Sequence, residues 1–322
     1  VSADLVALDL PGGPSFVTAL QRVWDRGDAA FPVDQRLPLP AKRAVLEAIA
    51  PASVIGVDGI EVRRDLGMPV EPGDALVVAT SGTTGAPKGV VLTHDAVEAS
   101  ANASSRRLGV TEEDHWLACL PMSHVGGLSV VTRALHCGTT LSVHPGFDAE
   151  SVMRTEATLV SLVATALRRI DPSRFRRILL GGSRPPGDQP DNAVATYGMT
   201  ETGSGVVYDG WPLEGVDIRI HHSDSHSHSH SHSHSHNHIH QSEDGEILVK
   251  APMLLRAYRD GPAGLRDGWF PTGDLGHLTP EGQLVVRGRA RELIITGGEN
   301  VWPEQVEAVL SDHPEVADVA VS

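Results

Sequence analysis

Thr80, Ser81, Gly82, Thr83, Thr84, Gly85 and Lys88 lie within one short stretch, TSGTTGAPKG, at residues 80–89. Small residues let a backbone approach a ligand closely, hydroxyls and amide N–H groups donate hydrogen bonds, and the lysine adds one positive charge. The stretch is therefore suited to holding a phosphate. Its spacing is not that of a P-loop, which needs Gly, four residues and then Gly-Lys-Ser/Thr. Here Gly85 is followed by Ala86, Pro87, Lys88 and Gly89, so a nucleotide would have to be gripped in another way. A serine hydrolase is set aside, because the chain holds no G-x-S-x-G elbow.

The elements that must carry this stretch follow from hydrophobic patterning. Strand-like runs recur at LVVAT (76–80), HWLACL (115–120), TTLSV (139–143), TLVSLV (158–163), RRILL (176–180) and AVATY (193–197). Between them, DAVEASANASSRRL and SHVGGLSVVTRAL have helical spacing with few breakers. Alternation of this kind predicts an α/β fold with mostly parallel sheets covered by helices, whose ligands bind where strands end. From about residue 216 the texture becomes β-rich (VDIRI, GEILVK, GQLVVRG), predicting a small β subdomain. The last stretch, RELIITGGENVWPEQVEAVLSDHPEVADVAVS, reads as strand, Gly-Gly turn, a helix from Pro303 and a final strand.

The 322 residues suffice for one large domain or two smaller ones, and 40% hydrophobic content with 33 Gly and 22 Pro fits a loop-rich globular protein. A formal net charge of -15 disfavours nucleic acid and anionic membranes as partners, so an anionic ligand must be met by a local site. Two cysteines, Cys119 and Cys137, and no bilayer-length apolar run or leader predict a reduced, cytoplasmic protein without a disulfide framework. The start at Val1 predicts a trimmed terminus. Residues 221–240 alternate Ser and His and hold 10 of the 17 histidines. This low-complexity insertion reads as a surface hairpin extension that binds divalent metals opportunistically.

Four further stretches join the loop: LLGGSRPP (179–186), ATYGMTETGSG (195–205), GWFPTGDLG (268–276) and GRARELIITGGENVWPEQVE (288–307). In this order they resemble the adenylate-forming superfamily of acyl-CoA synthetases, luciferases and peptide-synthetase adenylation domains. The resemblance implies a ligase in which a carboxylate attacks the α-phosphate of ATP, pyrophosphate leaves, and the thiol of coenzyme A captures the acyl adenylate. It implies that Thr80 to Gly85 and Lys88 embrace the outer phosphates, that Thr200 touches the α-phosphate and that Glu201 holds Mg²⁺. Tyr197 would face adenine, with Gly198 beside it and Gly181, Gly182 and Ser183 on the other side. Asp274 would accept from the ribose hydroxyls with Arg289 assisting. Arg291 would be the hinge of a small lid domain, and Gly297 and Gly298 would line the pantetheine tunnel.

LPMSHVGGLSVVTRAL (120–135) addresses the acid. By resemblance His124 stands at the pocket mouth and acts in catalysis with Lys88, Thr200 and Glu201, while Gly126 and Gly203 also border the substrate. GLSVVTR and TYGMTETGSGVVYDGWPLEGV resemble o-succinylbenzoate:CoA ligases, whose substrate has a second carboxylate; Arg133 is the candidate partner for it. The alternatives are a synthetase for another aromatic or medium-chain acid, and a non-catalytic metal-binding protein using the histidine tract. The segments 164–175 and 184–192 are shorter than the family pattern. The expected organisation is a large adenylation domain over 1–289 and the beginning of a truncated α+β lid over 290–322, which stops before the family's catalytic lysine and impairs turnover. The expected partners are the acid, ATP and coenzyme A, and the assembly is open between monomer and homodimer.

Overall fold

The computed structural model describes residues 3–81, 87–182, 189–222 and 244–291, with scattered positions between 294 and 321. Its contacts divide the chain into two compact units. The first comprises 1–209, 213–215 and 251–264, and the second 210–212, 216–250 and 265–322. The motif-based boundary at 289 lies inside the second unit.

The first unit contains β1 (Leu5–Leu8), α1 (Pro14–Asp25), β2 (Ala29–Pro32), α2 (Leu39–Ile49), β3 (Ser53–Ile55), β4 (Glu61–Arg63), β5 (Asp74–Ser81), β6 (Pro87–Thr93) and α3 (His94–Leu108). It continues with β7 (His115–Ala118), α4 (Val125–Cys137), β8 (Thr140–Val143), α5 (Ala149–Met153), β9 (Leu159–Leu162), α6 (Ala164–Leu167), β10 (Arg177–Leu180), β11 (Ala193–Gly198) and β12 (Gly205–Tyr208). Two short strands, β16 (Ala257–Tyr258) and β17 (Gly261–Pro262), return to it later in the chain. Its first sheet runs β17-β16-β6-β5-β2-β1-β3-β4, and a second runs β12-β11-β10-β9-β7-β8. Pairs β2/β5, β1/β2 and β1/β3 are parallel, as are β7/β8, β7/β9, β9/β10 and β10/β11. The α/β expectation therefore holds, with antiparallel pairs at β3/β4, β5/β6, β6/β16 and β16/β17 in the first sheet and at β11/β12 in the second.

The strands are apolar throughout their middle, as expected when both faces are covered. Val77, Val78, Val90, Leu117, Val160 and Ile178 are fully or almost fully buried. Helices α3 and α4 pack on one another, α3 also against β5, β6 and β12, and α4 against β7, β8 and β9. Thr93 begins α3 by accepting from the Ala96 N–H, and Gly109 ends it in the left-handed region that favours glycine.

In the second unit are β13 (Trp211–Pro212), β14 (Asp217–His221), β15 (Gly245–Lys250), β18 (Phe270–Leu278), β19 (Leu284–Arg289), β20 (Ile294–Thr296) and β21 (Glu299–Val301). Strands β14-β15-β18-β19 form an antiparallel sheet, in keeping with the β-rich texture read there. Strand β20 pairs with β21 as a hairpin, so ENV is a strand where only a turn was expected. Most of the histidine insertion lies outside the described residues, as does the final strand expected near the end. Among the described residues no helix is long and apolar enough to cross a membrane.

Candidate active site

Strands β5 and β6 form a hairpin whose ladder ends at Ser81↔Pro87, with Thr80 opposite Lys88. The hairpin thus delivers Thr80 and Lys88 to one end of the first sheet. Gly82, Thr83, Thr84 and Gly85 lie outside the described residues, as do Ser183, Gly297 and Gly298. Lys88 places its Nζ 5.5 Å from the centre of the Tyr258 ring. The Tyr258 hydroxyl donates to Oε1 of Glu201 at 2.9 Å. One tyrosine therefore bridges a cation and a carboxylate that are remote in sequence. Burial first, and then the Glu201 carboxylate, push the Tyr258 phenol above its ordinary range, so it remains a donor at neutral pH. Tyr258 escaped the sequence analysis because its short strand follows the divergent, low-complexity region and carries no motif of its own.

Thr200, Glu201 and Thr202 form a single 3₁₀ turn directly after β11. Thr202 fixes it from both sides: its Oγ1 accepts from the Met199 N–H at 2.9 Å and donates to the Ser204 carbonyl at 2.7 Å. Two glycines are needed here. A Cβ on Gly198 would fall 2.2 Å from the Ser204 carbonyl oxygen, and Gly203 has φ of +67°. Tyr197 and Gly198 end β11, while Gly181 and Gly182 follow β10, its parallel neighbour. The proposed adenine-facing groups are thus adjacent at the ends of parallel strands, where open α/β sheets bind ligands.

A narrow cleft lies next to this turn, lined by Leu76, Leu92, Val97, Leu128, Thr132 and Gly203 among others. Its walls come from β5, β6, α3 and α4, and its polar groups are hydroxyls: Ser100, Ser129 and Thr132. Gly126 lies in the first turn of α4. His124 is the residue that precedes that helix; its Nε2 lies 2.6 Å from an Arg36 nitrogen and 3.7 Å from Asp34. Burial and the Arg36 charge lower the His124 pKa, leaving the ring neutral at pH 7. Arg36 and Asp34 carry no motif signal and were missed.

Arg133 is only 1% exposed, which excludes the solvated alternative for this side chain. Its Nε donates to Ser104 Oγ at 2.7 Å, Nη2 donates to Ser204 Oγ at 3.3 Å, and the guanidinium lies 4.9 Å from the Trp116 ring. Its Nη1 has no hydrogen-bond partner among the described residues. Arg133 does not line the cleft, and its unpartnered Nη1 is the feature that makes it a candidate for an anion. Glu201 is a single carboxylate, and no cluster of three or more metal-ligating side chains occurs among the described residues. That fits Mg²⁺, which commonly binds through one or two carboxylates together with substrate phosphates.

In the second unit, Asp274 is opposite Arg289 on β18 and β19, with Arg289 Nε 2.9 Å from Asp274 Oδ1. The Asp274 N–H donates to Thr272 Oγ1, and Arg289 donates to the Thr272 carbonyl, so the pair is held by its own strand. Arg291 is exposed in the turn that follows β19.

A parallel-rich α/β unit that gathers a lysine, a carboxylate and a hydroxyl-bearing turn at strand ends is of the class that handles phosphorylated small molecules. The chain belongs to the family of AMP-binding enzymes, whose model matches residues 67–259. It is 36% identical over 280 residues to a 2-succinylbenzoate–CoA ligase of Bacillus licheniformis, covering 77% of this chain and 56% of that protein. The ligase of the same name from Bacillus subtilis is also 36% identical, over 281 residues, covering 77% of this chain and 55% of the other. Two solved structures are similar over the whole chain: o-succinylbenzoate CoA synthetase of Bacillus subtilis with its acyl-adenylate intermediate (TM-score 0.82, 31% identity, 75% of that chain) and with ATP and magnesium (TM-score 0.83, 31% identity, 77% of that chain). The chain spans about half the length of the curated relatives it matches.

Proposed function

We propose that this chain is the nucleotide- and acid-binding part of an ATP-dependent carboxylic acid:CoA ligase, working in the cytosol and acting on o-succinylbenzoate. The observation that carries the reading is the meeting of Lys88 and Glu201 at Tyr258, beside a cleft that ends at Gly203. One carboxylate oxygen of the acid attacks the α-phosphorus of ATP and the bond to the β-phosphate oxygen breaks, giving acyl adenylate and pyrophosphate. The thiol sulfur of coenzyme A then attacks the acyl carbonyl, the acyl–phosphate C–O bond breaks, and AMP leaves. Lys88 places positive charge against the departing phosphates, and the Thr200 hydroxyl donates to the α-phosphate. Glu201 would hold Mg²⁺, which when bound neutralises charge on the phosphate oxygens. Asp274 receives the ribose hydroxyls, Tyr197 faces the base, and Arg291 serves as the hinge of a lid that begins at residue 290. Arg133 supplies the partner for the second carboxylate of the acid, and its unpartnered Nη1 supports this role.

A second reading, a synthetase for a monocarboxylic aromatic or medium-chain acid, is favoured by one observation. The lining of the cleft offers hydroxyls and apolar groups but no charge. Calorimetry with hydrolysis-resistant acyl-adenylate analogues separates the two. The o-succinylbenzoyl analogue is expected to bind at least about tenfold more tightly than the benzoyl one, the discrimination that one charge partner supports. Equal affinities favour the second reading, and no binding of either overturns both.

A further inference from the structure

We infer that Tyr258 is a positioning residue for the nucleotide site, holding Glu201 and Lys88 in register before ATP arrives. The inference rests on the reading of Glu201 as the metal-holding carboxylate and Lys88 as the phosphate-binding cation.

Three contacts from one short segment converge on these two groups. The Leu255 N–H donates to the Glu201 carbonyl at 2.8 Å, which fixes the turn by its backbone. The Tyr258 hydroxyl fixes the side chain through Oε1, and among the described residues no hydrogen bond reaches Oε2. The Tyr258 ring faces Lys88, whose charge an aromatic face attracts. The tyrosine is in turn fixed by its neighbours. Arg256 grips buried Asp74 with two nitrogens, Nε to Oδ1 and Nη2 to Oδ2, each at 2.8 Å, while its N–H bonds the Val91 carbonyl. Arg259 donates to the carbonyls of Met68 and Pro69 at 2.9 and 2.8 Å and to that of Ile49, and its N–H bonds the Gly89 carbonyl. Strand β16 is therefore clamped against β6 on both sides of Tyr258, and β6 is the strand that bears Lys88.

With its hydroxyl on Oε1 of Glu201, the phenol acts through that carboxylate. It sets the direction in which the carboxylate points, as groups behind a metal ligand commonly do.

The test is ATP titration by calorimetry, with Mg²⁺ and with EDTA, on the parent chain, Tyr258→Phe, Glu201→Ala and the Tyr258→Phe/Glu201→Ala double variant. Tyr258→Phe keeps the ring and loses the hydroxyl. It is expected to lose about tenfold of the Mg²⁺-dependent gain in ATP affinity, while affinity in EDTA stays at the parent value. In the Glu201→Ala background the same change should have no further effect, since the hydroxyl acts through Glu201. Tyr258→Leu, which also loses the ring, should weaken binding in EDTA as well. If the parent binds ATP and Tyr258→Phe retains the full Mg²⁺ gain, or weakens both titrations equally, the inference fails while the functional reading stands. Absence of ATP binding by the parent fails that reading, and the inference with it.

Discussion

Arg133 carries a charge into a space where Ser104, Ser204 and the Trp116 face receive it incompletely. Replacing a buried, imperfectly paired cation by an apolar side chain of similar length is often neutral for the fold, because desolvation of the charge is removed together with its contacts. Arg133→Met should therefore melt within a few degrees of the parent. The same variant should lose about 2–5 kcal/mol of binding to an o-succinylbenzoyl adenylate analogue, the cost of leaving a buried carboxylate unpaired, and little toward a benzoyl analogue. Parallel thermal melts and titrations check both halves. A large drop in melting temperature with equal loss for both analogues would make Arg133 a packing residue only.

Strands β7, β9 and β10 owe part of their alignment to Asp114 and Arg176. Asp114 is buried before β7 and accepts from the Thr111 N–H, the Thr158 hydroxyl and the Arg176 side chain, whose Nε is 2.8 Å away. Arg176 directly precedes β10, and its own N–H bonds the Thr158 carbonyl before β9. Although burial alone would raise the carboxyl, the Arg176, Thr111 and Thr158 bonds outweigh it and hold Asp114 down to about 2. A carboxyl lowered on folding contributes stability that is fully present above its unfolded pKa near 4 and is lost as pH falls through the folded value. The window is therefore roughly pH 4 down to 2, and the contribution at neutral pH is about 2 kcal/mol. Asp114→Asn should lower urea stability at pH 7 by about that amount and flatten the acid limb of a stability–pH curve in that window. A limb as steep as the parent's would exclude the residue as its source.

Legibility in the sequence also divides at this level. The strands from LVVAT to AVATY were readable because parallel strands covered on both faces are continuous apolar runs, and Gly109 and Gly138 mark the ends of α3 and α4. The motif at 195–205 located the Thr200–Thr202 turn, since Gly198 and Gly203 are required by a close approach and a positive φ. Strands β16 and β17 were not readable, for they are two residues long and carry no periodicity. Tyr258, Arg36 and Asp34 were hidden for the same reason: their role comes from tertiary contacts with residues far away in the chain. Residue spacing also does not distinguish a buried Arg133 from a solvated one, because α4 is apolar over most of its circumference.

For the molecule as a whole, the question is which part carries function. The histidine-rich insertion joins β14 to β15, whose ladder runs from Asp217↔Lys250 to His221↔Glu246. That ladder is fixed on both sides of the insertion, so replacing residues 223–243 by Asn-Gly should leave ATP binding unchanged. Shortening the closed loop should also raise stability, by about 1–2 kcal/mol at most. Retention on immobilised Ni²⁺ should fall in the same variant. Loss of ATP binding together with metal retention would revive the metal-binding alternative.

The chain has only three tyrosines, and all three belong to the first unit: Tyr197 ends the strand before the Glu201 turn, Tyr208 is buried on β12, and Tyr258 touches Glu201. The site is thus already labelled by its own composition. Biosynthetic incorporation of fluorotyrosine would give three fluorine resonances, none from the second unit. Nucleotide should move the Tyr197 and Tyr258 lines and leave that of buried Tyr208 nearly still, so occupancy could be followed in a crude mixture without a reporter being engineered.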